Sequence, residues 1–98
     1  MHPFAAKVRE MRLKHKWTLR ELAEKVDKTP GYLSRIEMGE EIPSPEFSCY
    51  LARALRVKPE ALLVLAKRVL MQRAEAIIDQ RQEEGLRRYK QANKQSKK

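Results

Sequence analysis

The chain has 98 residues, of which 22 are Lys or Arg and 13 are Asp or Glu, so its formal net charge at pH 7 is +9. This length accommodates one small domain, no apolar run reaches the roughly 18 residues of a transmembrane helix, and the lone Cys49 excludes an internal disulfide. Charges interrupt the first twenty residues, so we expect no secretory signal. These features predict a small basic domain of the cytoplasm, with nucleic acid as its first candidate partner.

The positive charge is concentrated at the end of the chain. Residues 1–58 contain 12 basic and 8 acidic side chains (+4), residues 59–84 contain 4 and 5 (−1), and residues 85–98 contain 6 and none (+6). Because residues 91–98 include no large apolar side chain, burial cannot offset the entropy cost of ordering them. We therefore expect a disordered basic tail over residues 91–98.

Helix start signals divide the chain into an all-α sequence of five helices. Apolar side chains recur at helical spacing from Pro3, which predicts a first helix that ends near His15. Thr18 followed three residues later by Glu21 is a capping-box pattern, and it predicts that the second helix begins there. Strand patterns are absent from the sequence.

The third and fourth helices begin with a hydroxyl side chain before a proline. Thr29 and Pro30 predict the start of the third helix, which we expect to end at Gly39, since glycine readily adopts a left-handed conformation. Ser44 and Pro45 predict the start of the fourth helix after a loop. The side chains expected to face the core are Phe4, Val8 and Met11, then Leu22, Ala23 and Val26, then Leu33 and Ile36, and finally Phe47, Tyr50, Leu51, Ala54 and Leu55.

The fifth helix, predicted to begin at Pro59, is longer than a small domain needs. Its apolar stripe continues to about residue 78 and must be covered, either by folding back on its own domain or by packing against a second subunit. Gly85 costs up to about 1 kcal/mol in a helix, so we expect fraying or a kink there. Residues 64–90 are predicted to form an extended amphipathic helix for dimerisation, with an interface made of Leu63, Ala66, Leu70, Ala74 and Ile77.

Residues 18–37 have the spacing of a helix-turn-helix motif, in which one helix supports a second helix that enters the major groove of DNA. The motif is part of a longer pattern made of Val8, Met11, Arg12, Trp17, Thr18, Glu21–Ala23, Tyr32–Glu37, Gly39, Pro43, Ser44, Leu51, Ala52, Leu55, Val57, Leu62 and Leu63. With these residues the chain resembles the lambda-repressor-like, Cro-type helix-turn-helix family, also called the XRE family, of bacterial and phage DNA-binding regulators. The resemblance implies a five-helix DNA-binding domain over residues 7–63.

The resemblance implies that the third helix is the recognition helix. Arg35 is the first candidate for direct readout, because its guanidinium can bind guanine O6 and N7 together. The alternative for Arg35 is a surface ion pair with Glu21 or Glu24. Three roles are compatible with Tyr32: contact with the phosphate backbone, stacking on Pro30, and partial burial in the core. The implied base or groove contacts are Pro30, Gly31, Tyr32, Ser34 and Arg35.

The resemblance also implies supporting residues around the recognition helix. Arg12 and Glu37 occupy positions that would form a structural salt bridge between the first and third helices. The N-termini of helices suit phosphate oxygens, although Thr18 and Thr29 are also explained as caps of their helices. The implied phosphate contacts are Lys16, Thr18, Arg20, Lys28 and Thr29.

Four positions depart from the family pattern near the expected DNA face. Leu19 replaces a common glutamine, Asp27 replaces the turn glycine, and Glu40 and Glu41 stand where relatives often have basic residues. With Pro30 at the head of the recognition helix, these departures predict sparse direct readout, with DNA shape and water contributing more.

The sequence predicts neither an enzyme nor a metal or cofactor site. His2 and His15 have no Cys or Glu at ligand spacing, and Cys49 has no nucleophilic companion. The three glycines are scattered and form no phosphate-binding loop.

Two functions are compatible with the sequence. The first is a sequence-specific transcriptional regulator, expected to be a repressor, which binds a pseudopalindromic operator of double-stranded DNA as a homodimer through the helix Thr29–Glu37. It would act in the cytoplasm, at a prokaryotic nucleoid or as a phage-encoded protein. The second is a protein-interaction module, such as an antitoxin or an adaptor, whose C-terminal helix docks on a partner protein. Neither function involves a membrane.

Overall fold

The computed structural model of the chain describes the backbone of residues 2–96 and the side chains of residues 2–93. Over these residues the regular structure is entirely helical, which confirms the predicted fold class. The five helices are α1 (Pro3–Lys14), α2 (Leu19–Lys25), α3 (Pro30–Glu37), α4 (Pro45–Leu55) and α5 (Pro59–Ser96).

The predicted capping residues are the residues that start the helices. At α2 the Thr18 hydroxyl accepts a hydrogen bond from the Glu21 amide at 3.1 Å, and the Glu21 carboxylate accepts one from the Thr18 amide at 3.0 Å. At α3 and α4 the hydroxyls of Thr29 and Ser44 each accept from the amide three residues later, at 3.2 Å. These bonds satisfy amides that have no partner within the helix, so the starting points are fixed by local chemistry.

The turns between the short helices use left-handed backbone conformations. Gly39 has a φ of +81° where α3 ends, as its position predicts. Asp27, which stands at the glycine position of the helix-turn-helix turn, has a φ of 56°. Aspartate tolerates this conformation better than most residues, so the turn keeps its geometry without glycine.

The core is formed where α1, α2, α3, α4 and the first turns of α5 meet. Leu22, Leu33, Leu51 and Leu62 are fully buried there. The prediction for α4 was wrong for Tyr50, which is 49% exposed. The buried side of α4 consists instead of Ser48, Leu51, Ala52 and Leu55, which recur at helical spacing and place residue 50 beside the buried face.

Helix α5 makes the molecule elongated, with dimensions of 69 × 25 × 20 Å. Its 38 residues correspond to about 57 Å at 1.5 Å per residue. Leu62, Ala66 and Val69 are buried against the domain, whereas the side chains from residue 70 to residue 93 are exposed except for the half-buried Glu84. None of the described helices combines the length and apolar composition needed to cross a membrane.

The end of α5 differs from the sequence expectation at two points. The helix passes through Gly85 without a break, and it continues to Ser96, six residues into the segment expected to be a tail. Ala, Gln and Lys, which make up most of residues 91–96, are favourable helix formers, and Arg88 pairs with Glu84 at 2.8 Å one turn earlier. Residues 97 and 98 of the expected tail lie outside the described residues.

Candidate nucleic-acid interface

Helix α3 is attached to the domain by one side and exposes the other. Leu33 and Ile36 have no exposed surface, and both pack in the core. The five residues predicted to contact bases are on the remaining surface of α3: Pro30, Gly31 and Arg35 are exposed, and Tyr32 and Ser34 are half-buried. A helix held in this way can present its N-terminal half to a groove without losing its core contacts.

Three of the predicted DNA-contacting residues form one cluster at the start of α3. The Arg35 guanidinium lies 5.7 Å from the centre of the Tyr32 ring, and the Lys28 ammonium lies 5.7 Å from the same centre. The Lys28 ammonium is also 5.3 Å from the ring centre of Phe47 in α4, and the Tyr32 and Phe47 rings meet edge to face at 5.7 Å. These cation–π contacts bring two positive charges to one aromatic pair.

The cluster narrows the alternatives that the sequence leaves for Arg35 and Tyr32. Arg35 lies over Tyr32, while Glu21, one of its alternative partners, is engaged in the capping box with Thr18. The Tyr32 ring packs on Phe47, so partial burial is one of its roles. The exposed guanidinium remains on the solvent side of α3.

The Tyr32 hydroxyl remains a hydrogen-bond donor at neutral pH. Burial raises the pKa of this phenol above its ordinary value, and the negative charge of Glu41 raises the pKa further, while Arg35 acts in the opposite direction. The neutral phenol can therefore donate a hydrogen bond to a phosphate oxygen.

The Arg12–Glu37 ion pair connects α1 to the last residue of α3. Arg12 Nε lies 2.7 Å from Glu37 Oε2, and Arg12 Nη2 lies 3.0 Å from Glu37 Oε1, which is a bidentate geometry. The Arg12 Nη1 group also donates to the Trp17 carbonyl at 2.7 Å, in the segment that leads to α2. The two side chains are only 11% and 7% exposed. This one guanidinium therefore fixes α3 relative to both preceding helices.

Two further residues hold the end of α3, and the sequence analysis missed both. Arg73 of α5 donates from Nη2 to the Gly39 carbonyl at 2.8 Å. The His2 ring lies so close to Gly39 that a Cβ there would be 2.8 Å away, and His2 Nδ1 accepts from the Ala5 amide at 3.1 Å. The spacing from Val69 to Arg73 is one helical turn, and it is the sequence signal that could have placed Arg73 on the domain side of α5.

The predicted phosphate contacts are distributed between two helix starts. Lys16, Thr18 and Arg20 are exposed around the N-terminus of α2, and Lys28 and Thr29 are exposed at the N-terminus of α3. Both threonine hydroxyls already accept from their own helix, so contact with a phosphate oxygen would add to capping. Among the described residues, no group of three or more His, Cys, Asp or Glu side chains is arranged to hold a metal ion.

The predicted dimer interface is divided between the core and the surface of α5. Ala66 is 7% exposed and packs mainly in the core of its own domain. Leu70 and Ile77 are 51% and 57% exposed. An open apolar groove of about 350 Å³ runs beside this part of α5, lined by Pro43, Pro45, Ser48, Leu63, Ala66, Lys67, Leu70, Met71 and Ala74.

Comparisons with known proteins match the helical domain. A family model described as Helix-turn-helix matches residues 8–62. The clp gene regulator ClgR from Corynebacterium glutamicum is 31% identical over 84% of this chain and 88% of its own, with a TM-score of 0.58. The biofilm master regulator SinR, solved in complex with DNA, is 31% identical over 61% of this chain and 97% of its own, with a TM-score of 0.57.

A structure of the SinR–SinI complex resembles this chain in fold. It is 24% identical over 95% of this chain and 99% of its own, with a TM-score of 0.58. A comparison with curated proteins finds no significant match.

Proposed function

This chain belongs to the XRE-type helix-turn-helix family of DNA-binding transcriptional regulators, and we propose a more specific function for it within that family. Within that class, the chain is a repressor that binds a pseudopalindromic operator as a homodimer. The observation that carries this proposal is the Lys28–Tyr32–Arg35 cluster on the exposed side of α3. DNA binding by SinR, whose structure matches this chain at 31% identity, supports the same role for the domain.

In the cluster, Arg35 is suited to reading a base, and Lys28 and Tyr32 are suited to binding the DNA backbone. Arg35 is held over Tyr32, so less side-chain freedom is lost when its guanidinium binds guanine O6 and N7. Such a bidentate contact discriminates against other bases by about 1–3 kcal/mol. Lys28 and the Tyr32 hydroxyl suit the flanking phosphates, which fix register without reading sequence.

Repression follows from occupation of the operator. Two copies of α3, related by a two-fold axis, would read half-sites about one helical turn apart, roughly 34 Å. A dimer bound across an operator in this way excludes other proteins from the same grooves.

Selection of bound sequences from a random DNA pool, at defined salt, tests this function. We expect enrichment of an inverted repeat whose halves are centred about 10 base pairs apart. Binding to the selected DNA should weaken with salt with a log–log slope of about −0.9 per phosphate neutralised. A pool that shows no enrichment, or binding without salt dependence, would overturn the proposal.

A second candidate function is favoured by the exposed apolar side of α5. Leu70, Met71, Ile77 and Ile78 are each between 51% and 57% exposed, which is a surface that a partner protein would cover. In this case the chain is an antitoxin or adaptor, and DNA binding is secondary. The solution mass of the purified chain separates the candidates: a stable dimer favours the homodimeric repressor, and a monomer favours the adaptor.

A further inference from the structure

Helix α5 has an apolar face that the rest of the domain does not cover. Leu63, Leu70 and Ala74 line the groove beside the start of α4, and Ile77 and Ile78 continue the same face beyond the groove. The core-facing side of α5 is different, since it consists of Leu62, Ala66 and Val69, followed by Arg73. The uncovered face is defined here as the α5 stripe, made of Leu63, Leu70, Met71, Ala74, Ile77 and Ile78.

The charges of α5 change sign in the middle of this stripe. Residues 61–74 contain three basic side chains, Lys67, Arg68 and Arg73, and no acidic ones, so their charge is +3. Residues 75–84 contain four acidic side chains and Arg81, so their charge is −3. The boundary lies directly after Ala74. The segments contain 14 and 10 residues and carry equal and opposite charge.

Opposite charges also share one flank of the stripe. Arg68, Glu75 and Asp79 are spaced at i, i+7 and i+11, so they lie along one line of the helix surface. Glu75, Asp79 and Glu83 form an exposed row of like charges at i, i+4 and i+8, which destabilises an isolated helix by about 0.2–0.5 kcal/mol for each pair. A basic segment placed beside this row would offset that repulsion.

We propose that a second copy of this chain covers the α5 stripe, with the two α5 helices antiparallel and crossing at Ala74. This proposal rests on the homodimer of the proposed function, and it specifies how the two copies meet. In this arrangement residues 64–73 of one copy, which contain Lys67, Arg68 and Arg73, face residues 75–84 of the other, so a segment of +3 meets a segment of −3 on both sides of the two-fold axis. Lys67 lies opposite Arg81 of the other copy, so the complementarity belongs to the segments as a whole and not to every facing pair. Leu70 of each copy packs near Ile78 of the other, and Met71 near Ile77.

The antiparallel direction follows from the charge blocks. A parallel pair in register would place the +3 segments together and the −3 segments together, which is unfavourable. In an antiparallel pair related by a two-fold axis, the same flank of each helix lies on the same side of the pair. Arg68 of one copy therefore faces Asp79 of the other. The small side chain of Ala74 at the crossing point lets the helices approach closely, and the domains extend to opposite sides.

Disulfide trapping on a Cys49→Ser background tests the arrangement. Ala74→Cys is expected to cross-link to itself. Leu70→Cys mixed with Ile78→Cys is expected to form the mixed disulfide, whereas each of these two variants alone does not. In the antiparallel pair the two Leu70 positions are about 12 Å apart along the axis at 1.5 Å per residue, beyond the roughly 7 Å that a disulfide spans between Cα atoms. Self-cross-linking of Leu70→Cys, or the absence of every cross-link, would overturn the proposal.

A charge exchange provides an independent readout in solution. Arg68→Glu and Asp79→Arg should each raise the dimer dissociation constant several-fold, and the double variant should restore it, because the exchanged charges again face each other. Circular dichroism of each variant checks that the helices are retained. A double variant that dissociates as readily as the single ones contradicts the antiparallel register.

The two proposals fail in different ways. If the cross-links form as expected but no DNA sequence is enriched, the proposed repressor function is wrong and the α5 pairing stands. If an inverted repeat is enriched while the cross-linking pattern is parallel or absent, the repressor function stands and the antiparallel pairing is wrong.

Discussion

Among single residues, the Arg12–Glu37 pair connects α1 to α3, the helix proposed to enter the DNA groove. Both side chains are almost fully buried, and Arg12 additionally binds the Trp17 carbonyl. Removing one partner leaves the other charge buried without compensation, and the cost of that situation is usually about 3–5 kcal/mol. The pair is therefore a structural determinant of the DNA-binding face although it touches no base in the proposed complex.

We expect Glu37→Gln to lower the free energy of unfolding by about 3 kcal/mol or more, because Arg12 then loses a charged, bidentate partner. Urea unfolding of the purified chain measures this change. Glu10→Gln is the matched control: Glu10 pairs with Lys7 at 3.8 Å and is 62% exposed, so its loss should change stability by less than about 1 kcal/mol. Equal effects of the two substitutions would show that the buried pair does not have this role.

Some contacts between individual residues could be predicted from the sequence, and others could not. The resemblance placed Arg12 and Glu37 opposite each other, and the structure forms that pair. Tyr32 stayed open among three alternatives because its environment depends on Phe47, fifteen residues later, whose ring approaches it only in the folded domain. Arg73 was missed for the same reason, since its partner Gly39 is 34 residues away.

At the scale of helices, the end of α3 is held by elements from both ends of the chain. The His2 ring is against Gly39 on one side, and Arg73 of α5 donates to the Gly39 carbonyl on the other. Arg73 is also next to the proposed crossing point at Ala74. Pairing of the two α5 helices would therefore be transmitted directly to the recognition helix.

We expect Arg73→Ala to weaken binding to the selected operator by up to about tenfold, because a net hydrogen bond of about 0.5–1.5 kcal/mol that positions α3 is lost. A fluorescence-anisotropy titration, at protein concentrations where the chain keeps one oligomeric state, measures the affinity. Arg53→Ala removes an exposed arginine of α4 that has no role in either proposed interface, and it is the control. If both variants bind equally well, Arg73 has no positioning role.

Helix boundaries were predictable where a local signal sets them. Thr18, Thr29 and Ser44 cap the helices that they were expected to cap, because the bond from hydroxyl to amide involves only neighbouring residues. The helical conformation of Gly85 and of residues 91–96 could not be predicted in this way. Their helical state depends on the summed propensity of a long helix, in which one unfavourable residue is outweighed by its neighbours.

At the scale of the whole molecule, the net charge of +9 indicates nucleic acid but does not locate the interface. Residues 1–58, which contain the helix-turn-helix domain up to the end of α4, account for only +4. Residues 85–98 account for +6. Residues 85–98 therefore supply most of the excess charge, which suits contacts with phosphates of any sequence. In the proposed complex, sequence preference comes from α3, where Lys28 and Arg35 are exposed beside Tyr32.

Parallel selections from one random DNA pool determine whether Arg35 on α3 reads a base. Wild type, Arg35→Ala and the control Arg53→Ala, which changes an exposed arginine of α4, are compared at the same salt concentration. We expect Arg35→Ala to lose a guanine preference at one position of each half-site, with about 1–3 kcal/mol less discrimination there, while the other positions and the control keep theirs. Identical preferences for all three proteins would contradict the claim.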